Sequence, residues 1–80
     1  MMKYQFIGKH WLKATDSECR LHYINLQFVT RITWWADEKG QEWVFVVLVG
    51  DEYAMEFFGE DFPTQQELEE FLANQGGGVK

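Results

Sequence analysis

Short segments of alternating apolar and polar residues, and runs of β-branched and aromatic residues, occupy much of the first sixty positions, and both patterns predict β-strands. Runs of β-branched and aromatic residues at positions 30–36, 42–49 and 53–58 are the clearest strands, and turn residues separate them. Positions 3–8 and 20–25 alternate between polar and apolar residues and predict two shorter strands with an irregular segment between them. Because the connections are short, we expect successive strands to pair antiparallel.

A different period appears near the end of the chain. Thr64 and Glu67 stand at the spacing of a capping box, with Pro63 just ahead of them. The apolar residues that follow share one helical face, and they are Leu68, Phe71 and Leu72. We expect a helix of about ten residues that ends near residue 74, before three consecutive glycines.

Together these elements predict an α+β fold. We expect a four- or five-stranded antiparallel β-meander, with room to roll into a half-barrel, and one C-terminal α-helix packed on one face. Residues 1–75 are expected to form a single globular domain, near the lower size at which one core is sufficient. Residues 76–80 are expected to form a flexible C-terminal tail.

Turn residues predict the register of the three clear strands. A three-residue loop at positions 38–40 would pair Trp35 with Trp43 and Trp34 with Val44. With a two-residue turn before the last strand, one sheet face becomes apolar throughout, and we expect the helix to cover it. The predicted core comprises Ile32, Trp34, Val44, Val46, Leu48, Met55, Phe57, Leu68, Phe71 and Leu72.

The opposite face of this sheet is rich in aromatic residues, where a free antiparallel face is normally polar. Arg31 and Glu56 also fall on it, at positions that favour an ion pair. Two coverings fit this face: residues 4–12 folded back over it, or another protein chain. The candidate interaction residues are Arg31, Trp35, Trp43, Phe45, Val47 and Phe58.

The aromatic content of this face predicts a noncatalytic protein-interaction module. Aromatic side chains dominate the energetics of protein interfaces, so we expect the face to bind either a second copy of the chain or another protein. A homo-oligomer is favoured, and a dimer in particular. Direct nucleic-acid binding is not expected, because Arg31 alone supplies positive charge near the aromatic residues.

Charge is divided unevenly along the chain and indicates an alternative function. Positions 42–78 hold nine acidic residues and no lysine or arginine, whereas the first forty positions hold six basic and four acidic residues. The alternative is an acidic inhibitor or nucleic-acid mimic that occupies a basic groove of a partner protein. Its candidate residues are Asp51, Glu52, Glu56, Glu60, Asp61, Glu67, Glu69 and Glu70.

Residue spacing does not favour catalysis or metal binding, so we predict no enzyme, no cofactor and no metal site. His10, Cys19 and His22 have metal-ligating groups, but the three-residue spacing of the last two sends their side chains to opposite faces of a regular strand. The glycines before position 76 are isolated and form no phosphate-binding loop.

The cellular compartment is suggested by the single cysteine and by the lengths of the apolar runs. With only Cys19, the chain forms no internal disulfide, which fits a reducing compartment. The longest apolar run, at positions 43–49, is far too short to cross a bilayer. We therefore expect a cytoplasmic protein that does not bind a membrane.

Overall fold

The computed structural model describes residues 3–75, and this part of the chain contains two antiparallel sheets and one α-helix. The α+β class, the antiparallel pairing and the C-terminal helix are therefore as predicted. Sheet 1 has the order β1-β2-β3 and sheet 2 the order β4-β5-β6. The elements are β1 Tyr4–Ile7, β2 Trp11–Thr15, β3 Leu21–Asn25, β4 Val29–Ala36, β5 Glu42–Leu48, β6 Met55–Phe58 and α1 Gln65–Gln75, with short 3-10 helices at Leu26–Phe28 and Gly59–Asp61.

The division into two three-stranded sheets differs from the predicted single meander of four or five strands. The difference comes from β2, whose residues were expected to be irregular. Lysine and alanine at Lys13 and Ala14 give this segment little intrinsic strand preference. Burial decides its structure instead, because Leu12 and Ala14 are both completely buried and alternate with more exposed neighbours.

The predicted register of sheet 2 is confirmed, although residues 49–54 connect β5 to β6 in place of the predicted two-residue turn. Trp35 pairs with Trp43 and Trp34 with Val44, and Val44 in turn pairs with Phe57 on β6. Glycine allows the backbone conformation of the turns on both sides of β5. Gly40 and Gly50 have φ values of 86° and 87°, which other residues rarely adopt. The turn chemistry in the sequence therefore determines which side chains share a face.

The core lies between the two sheets, which corrects the prediction that the helix covers sheet 2. Leu12, Ala14 and Ile24 of sheet 1 form one buried cluster with residues of sheet 2, and that cluster also contains Phe62. A three-stranded sheet offers a wider apolar surface than the single stripe of a three-turn helix, so sheet 1 is the better cover. The buried residues that sheet 2 contributes are Val44, Val46 and Phe57.

The other predicted core residues are buried to different extents. Leu68 is buried, whereas Phe71 is half-buried and Leu72 is 45% exposed. The remaining predicted residues are partly buried and pack against the edge of the cluster, and they are Ile32, Trp34, Leu48 and Met55. The prediction therefore identified the sheet 2 half of the core and missed the half from sheet 1.

The helix begins at the predicted capping box and docks on β1. The Glu67 carboxylate accepts a hydrogen bond from the Thr64 backbone N–H at 2.9 Å, and the Glu67 N–H donates to Thr64 Oγ1 at 3.1 Å. The ring of Phe71 stacks on Phe6 with 4.2 Å between centroids and an interplanar angle of 11°. Tyr4 on the same strand donates its hydroxyl hydrogen to Glu67 Oε1 at 2.7 Å.

Helix length bears on the prediction about membranes. Between residues 3 and 75, no helix has both the length and the apolar character that crossing a bilayer requires. The predicted tail at residues 76–80 lies outside the described residues.

Candidate interaction face

Four aromatic side chains from all three strands of sheet 2 contact one another on its outer face, and we call them the aromatic strip: Trp35, Trp43, Phe45 and Phe58. The Trp35 and Trp43 rings stack at 6.4 Å between centroids with an interplanar angle of 21°. Phe45 meets Trp35 edge to face at 5.6 Å, and Phe58 lies 5.0 Å from Trp43. These separations are those at which aromatic pairs attract each other.

The hairpin turn between β4 and β5 orients the centre of the strip. Asp37 Oδ2 accepts a hydrogen bond from the Trp43 indole N–H at 3.1 Å, while its Oδ1 accepts from the backbone N–H groups of Lys39 and Gln41 at 2.9 and 3.0 Å. The hydrogen bond from Trp43 is the main cause that lowers the pKa of Asp37 below its ordinary value. The turn thus holds the indole edge in place and leaves the ring face available for stacking.

Asp37 is a positioning residue that the sequence interpretation missed. The pattern that could have revealed it is an aspartate that starts a glycine-containing turn, because such a side chain commonly accepts hydrogen bonds from the next backbone N–H groups. Its second oxygen is then available to a neighbouring strand. Trp43, two residues after Gln41, is the side chain that uses it.

Exposure differs among the strip residues. Trp35 is 40% exposed, and the other three are half-buried. Val47 is half-buried and pairs across the strands with Arg31, which is exposed, so both predicted flanking residues share the face of the strip. The face thus presents one accessible indole among partly covered rings.

The expected ion pair between Arg31 and Glu56 does not form in the described part of the chain. Glu56 instead accepts a hydrogen bond from the Ser17 hydroxyl at 3.1 Å, and the Glu56 carbonyl accepts one from the Ser17 backbone N–H at 2.8 Å. The loop after β2 thereby attaches to β6. Arg31 is left without a carboxylate partner between residues 3 and 75.

The N-terminal residues that were one expected cover for this face lie elsewhere. Leu12 is in the core between the sheets, and Tyr4 and Phe6 pack against that core from β1. Phe6 also stacks on the helix. Three apolar side chains of this segment are therefore used on the inner side of the fold, whereas Ile7 and Trp11 are exposed, and Trp35 keeps its exposure.

Two of the eight acidic candidates are buried or half-buried by contacts within the chain. Asp61 is buried, and its Oδ1 lies 3.6 Å from the Lys3 ammonium nitrogen. Glu67 belongs to the capping box, where hydrogen bonds from the Thr64 backbone and from Tyr4 lower its pKa. The remaining six are exposed, and they are Asp51, Glu52, Glu56, Glu60, Glu69 and Glu70. An acidic binding surface would therefore have six carboxylates at its disposal.

Two of the three residues considered for metal binding lie at the turn after β2, whereas His10 lies in the turn before it. His22 Nε2 lies 2.7 Å from Asp16 Oδ2, whereas Cys19 is exposed in the turn at a φ of 68°. Among residues 3–75, no group of three or more histidine, cysteine, aspartate or glutamate side chains is placed to hold a metal ion. The buried Asp16 is instead a structural acceptor for this turn.

Comparisons with protein-family models, with curated proteins and with solved structures found no match to this chain. The function of the chain must therefore be inferred from its own geometry. Its most distinctive surface is the aromatic strip on the outer face of sheet 2.

Proposed function

We propose that the protein is a noncatalytic interaction module that forms a dimer through the aromatic strip. The observation that carries the proposal is the exposure of Trp35 within a set of four contacting aromatic side chains. Fully desolvated aromatic side chains supply much of the binding energy at protein interfaces. A ring that is already stacked on its neighbours also loses little side-chain freedom when a partner covers it.

The position of Trp35 on an edge strand supports the proposal. Within the described residues, β4 pairs only with β5, so its other edge has no strand beside it. This eight-residue strand contains no proline and a single charged residue, Arg31, and such edges readily pair with another strand. A partner that covers Trp35 can therefore also hydrogen-bond to β4.

The surface area that a stable dimer interface requires is consistent with use of both the aromatic strip and the free edge of β4. An interface of ordinary size buries roughly 800 Å² on each partner, which is about a seventh of the 5746 Å² accessible surface. The strip alone is too small for this, because three of its four rings are already half-buried. The edge of β4 and the flanking residues Arg31 and Val47 provide the additional contact area.

The charges on this face favour a second copy of the chain as the partner. Arg31 and Glu56 lie on the same face with opposite charges and do not pair with each other. In a two-fold symmetric dimer, residue i of one copy contacts residue j of the other and the reverse holds as well. Arg31 of each copy can then contact Glu56 of its partner, which offsets part of the repulsion between two chains of net charge −6.

The test is sedimentation equilibrium over a protein concentration range of roughly 1–100 μM, which corresponds to association free energies of about −8 to −5.5 kcal/mol. We expect the wild-type chain to dimerise within this range and Trp35→Glu to remain monomeric. Tyr53→Glu is the matched control, because Tyr53 is 83% exposed and lies outside the strip. It introduces the same charge in place of an aromatic ring and should leave the dimer intact.

Two results would overturn the proposal. One is a wild-type chain that stays monomeric over the whole range. The other is a dimer that Trp35→Glu and Tyr53→Glu weaken equally, since the loss would then reflect added negative charge and not the strip. Circular dichroism of both variants would establish that they are folded.

A further inference from the structure

An open cavity of about 580 Å³ lies where sheet 1 meets the segment that follows β6. Its volume is within the range of roughly 300–1,000 Å³ that is typical of small-molecule sites. Phe58 and Leu21 contribute apolar walls, and the aliphatic stems of Lys3 and Lys13 extend this apolar surface. The cavity therefore offers mostly hydrocarbon contact with charged groups at a few defined points.

The two carboxylates of the cavity are already compensated within the chain. Asp16 has His22 Nε2 at 2.7 Å and Arg20 Nε at 3.1 Å. Asp61 has a buried Oδ1 without a hydrogen bond, and the Lys3 ammonium is 3.6 Å away. A buried carboxylate oxygen in this situation needs the nearby positive charge, so Lys3 is committed to Asp61.

Lys13 is different, because no carboxylate pairs with it anywhere in residues 3–75. Its cross-strand neighbours in sheet 1 are Gln5 and Tyr23, and neither side chain carries a carboxylate. The side chain is also half-buried, so the water that would otherwise screen its charge is partly excluded. The cavity thus has one uncompensated positive charge beside an apolar wall.

We propose that this cavity binds a small amphiphilic organic anion. The anionic group contacts the ammonium of Lys13, and the apolar body lies against Phe58 and Leu21. A hydrogen bond between two charged groups is stronger than one between neutral groups, which explains a preference for an anion over a neutral molecule of the same shape. The cavity shares Phe58 with the aromatic strip, but Lys13 lies outside the strip and Trp35 lies outside the cavity, so variants of these two residues test the cavity and the proposed dimer separately.

The test uses anilinonaphthalene sulfonate, a fluorescent amphiphilic anion, and N-phenylnaphthylamine, which lacks the sulfonate. We expect the wild-type protein to bind the sulfonate more tightly. Lys13→Gln should weaken sulfonate binding about 3- to 10-fold and leave the affinity for the neutral dye unchanged, as expected for loss of one partly exposed charge contact. Lys9→Gln is the matched control, since Lys9 is exposed and lies outside the cavity wall.

Further variants distinguish the cavity from the rest of the surface. Lys13→Arg should keep sulfonate binding, because it keeps the charge, and Leu21→Ser should weaken both dyes by removing apolar contact. The proposal is overturned if Lys13→Gln and Lys9→Gln have equal effects or if the wild-type protein binds neither dye. It is also overturned if Trp35→Glu abolishes binding while Lys13→Gln does not, because the dye would then occupy the aromatic strip.

Discussion

Removal of the buried Asp16 carboxylate should destabilise the fold more than any other change of charge in the turn after β2. Its Oδ1 accepts hydrogen bonds from the backbone N–H groups of Glu18 and Arg20, both at 2.9 Å. Its Oδ2 accepts from Arg20 Nε at 3.1 Å and lies 2.7 Å from His22 Nε2. One side chain therefore fixes the turn that joins β2 to β3.

The loss in free energy of unfolding can be worked out from the donor groups that Asp16 no longer accepts from. A neutral hydrogen bond contributes about 0.5–1.5 kcal/mol net and one to a charged group about 1.5–3 kcal/mol. Arg20 is 67% exposed and recovers water, so its share is small. We expect Asp16→Ala to lower the free energy of unfolding by about 3 kcal/mol, a quarter or more of the total of roughly 4–12 kcal/mol for a domain of this size. Asp16→Asn keeps the Oδ1 acceptor and should cost about 1–2 kcal/mol.

The same carboxylate gives the stability a defined pH dependence. Burial alone would raise its pKa, but hydrogen bonds from His22, from the Arg20 and Glu18 backbone and from the Arg20 side chain outweigh burial and hold the pKa of Asp16 well below its usual value of 3.8. A lowered pKa in the folded state stabilises the fold above the unfolded-state pKa, and this contribution is lost as the pH falls. The difference between wild type and Asp16→Asn should be constant above about pH 5 and shrink below about pH 4.

Urea unfolding followed by tryptophan fluorescence measures these differences at each pH. Glu18→Gln is the control, because Glu18 is 70% exposed and its contact with Arg20 should contribute less than about 1 kcal/mol. A cost below 1 kcal/mol for Asp16→Ala at neutral pH would refute the reasoning. Parallel loss of stability in wild type and Asp16→Asn between pH 5 and about pH 2 would refute the assignment of the pH dependence to this residue.

Two further substitutions test the packing through urea midpoints. Phe71→Ala should cost about 2 kcal/mol, roughly half the value for a fully buried phenylalanine, because the ring is half-buried against Phe6. An unchanged midpoint, or an equal loss for Leu72→Ala at the exposed neighbouring position, would show that α1 does not dock on β1 in this way. Gly59→Ala should cost about 1–3 kcal/mol, because an added Cβ would lie 2.6 Å from the Cβ of Glu42. A stabilised Gly59→Ala variant would mean that the two segments are not so close.

Much of the candidate interaction face could be predicted because it depends on short-range features of the sequence. The length of the turn at positions 38–40 determines that Trp35 stands opposite Trp43, and the period of two then places Phe45 on the same face. The supporting role of Asp37 was not predicted, although it too is local. Its interaction with Trp43 becomes visible only when the direction of each side chain is known.

The sequence by itself determined the strands of sheet 2, their register, and the start of the helix at Thr64 and Glu67. Each of these depends on hydrogen bonds or side-chain spacing within a few residues, so local chemistry is sufficient. Only the tertiary structure decided which surface covers the inner face of sheet 2. Sheet 1 and the helix both have an apolar side, and the choice between them depends on the area and shape that each offers at a distance along the chain.

Long-range packing of this kind also gave β2 its strand structure, through the burial of Leu12 and Ala14. It placed Asp61 beside Lys3 as well. It also left the aromatic strip on the outside, because Tyr4, Phe6 and Leu12 pack in or against the core. None of these three results follows from local spacing, since each depends on which distant segments remove the most apolar surface from water together.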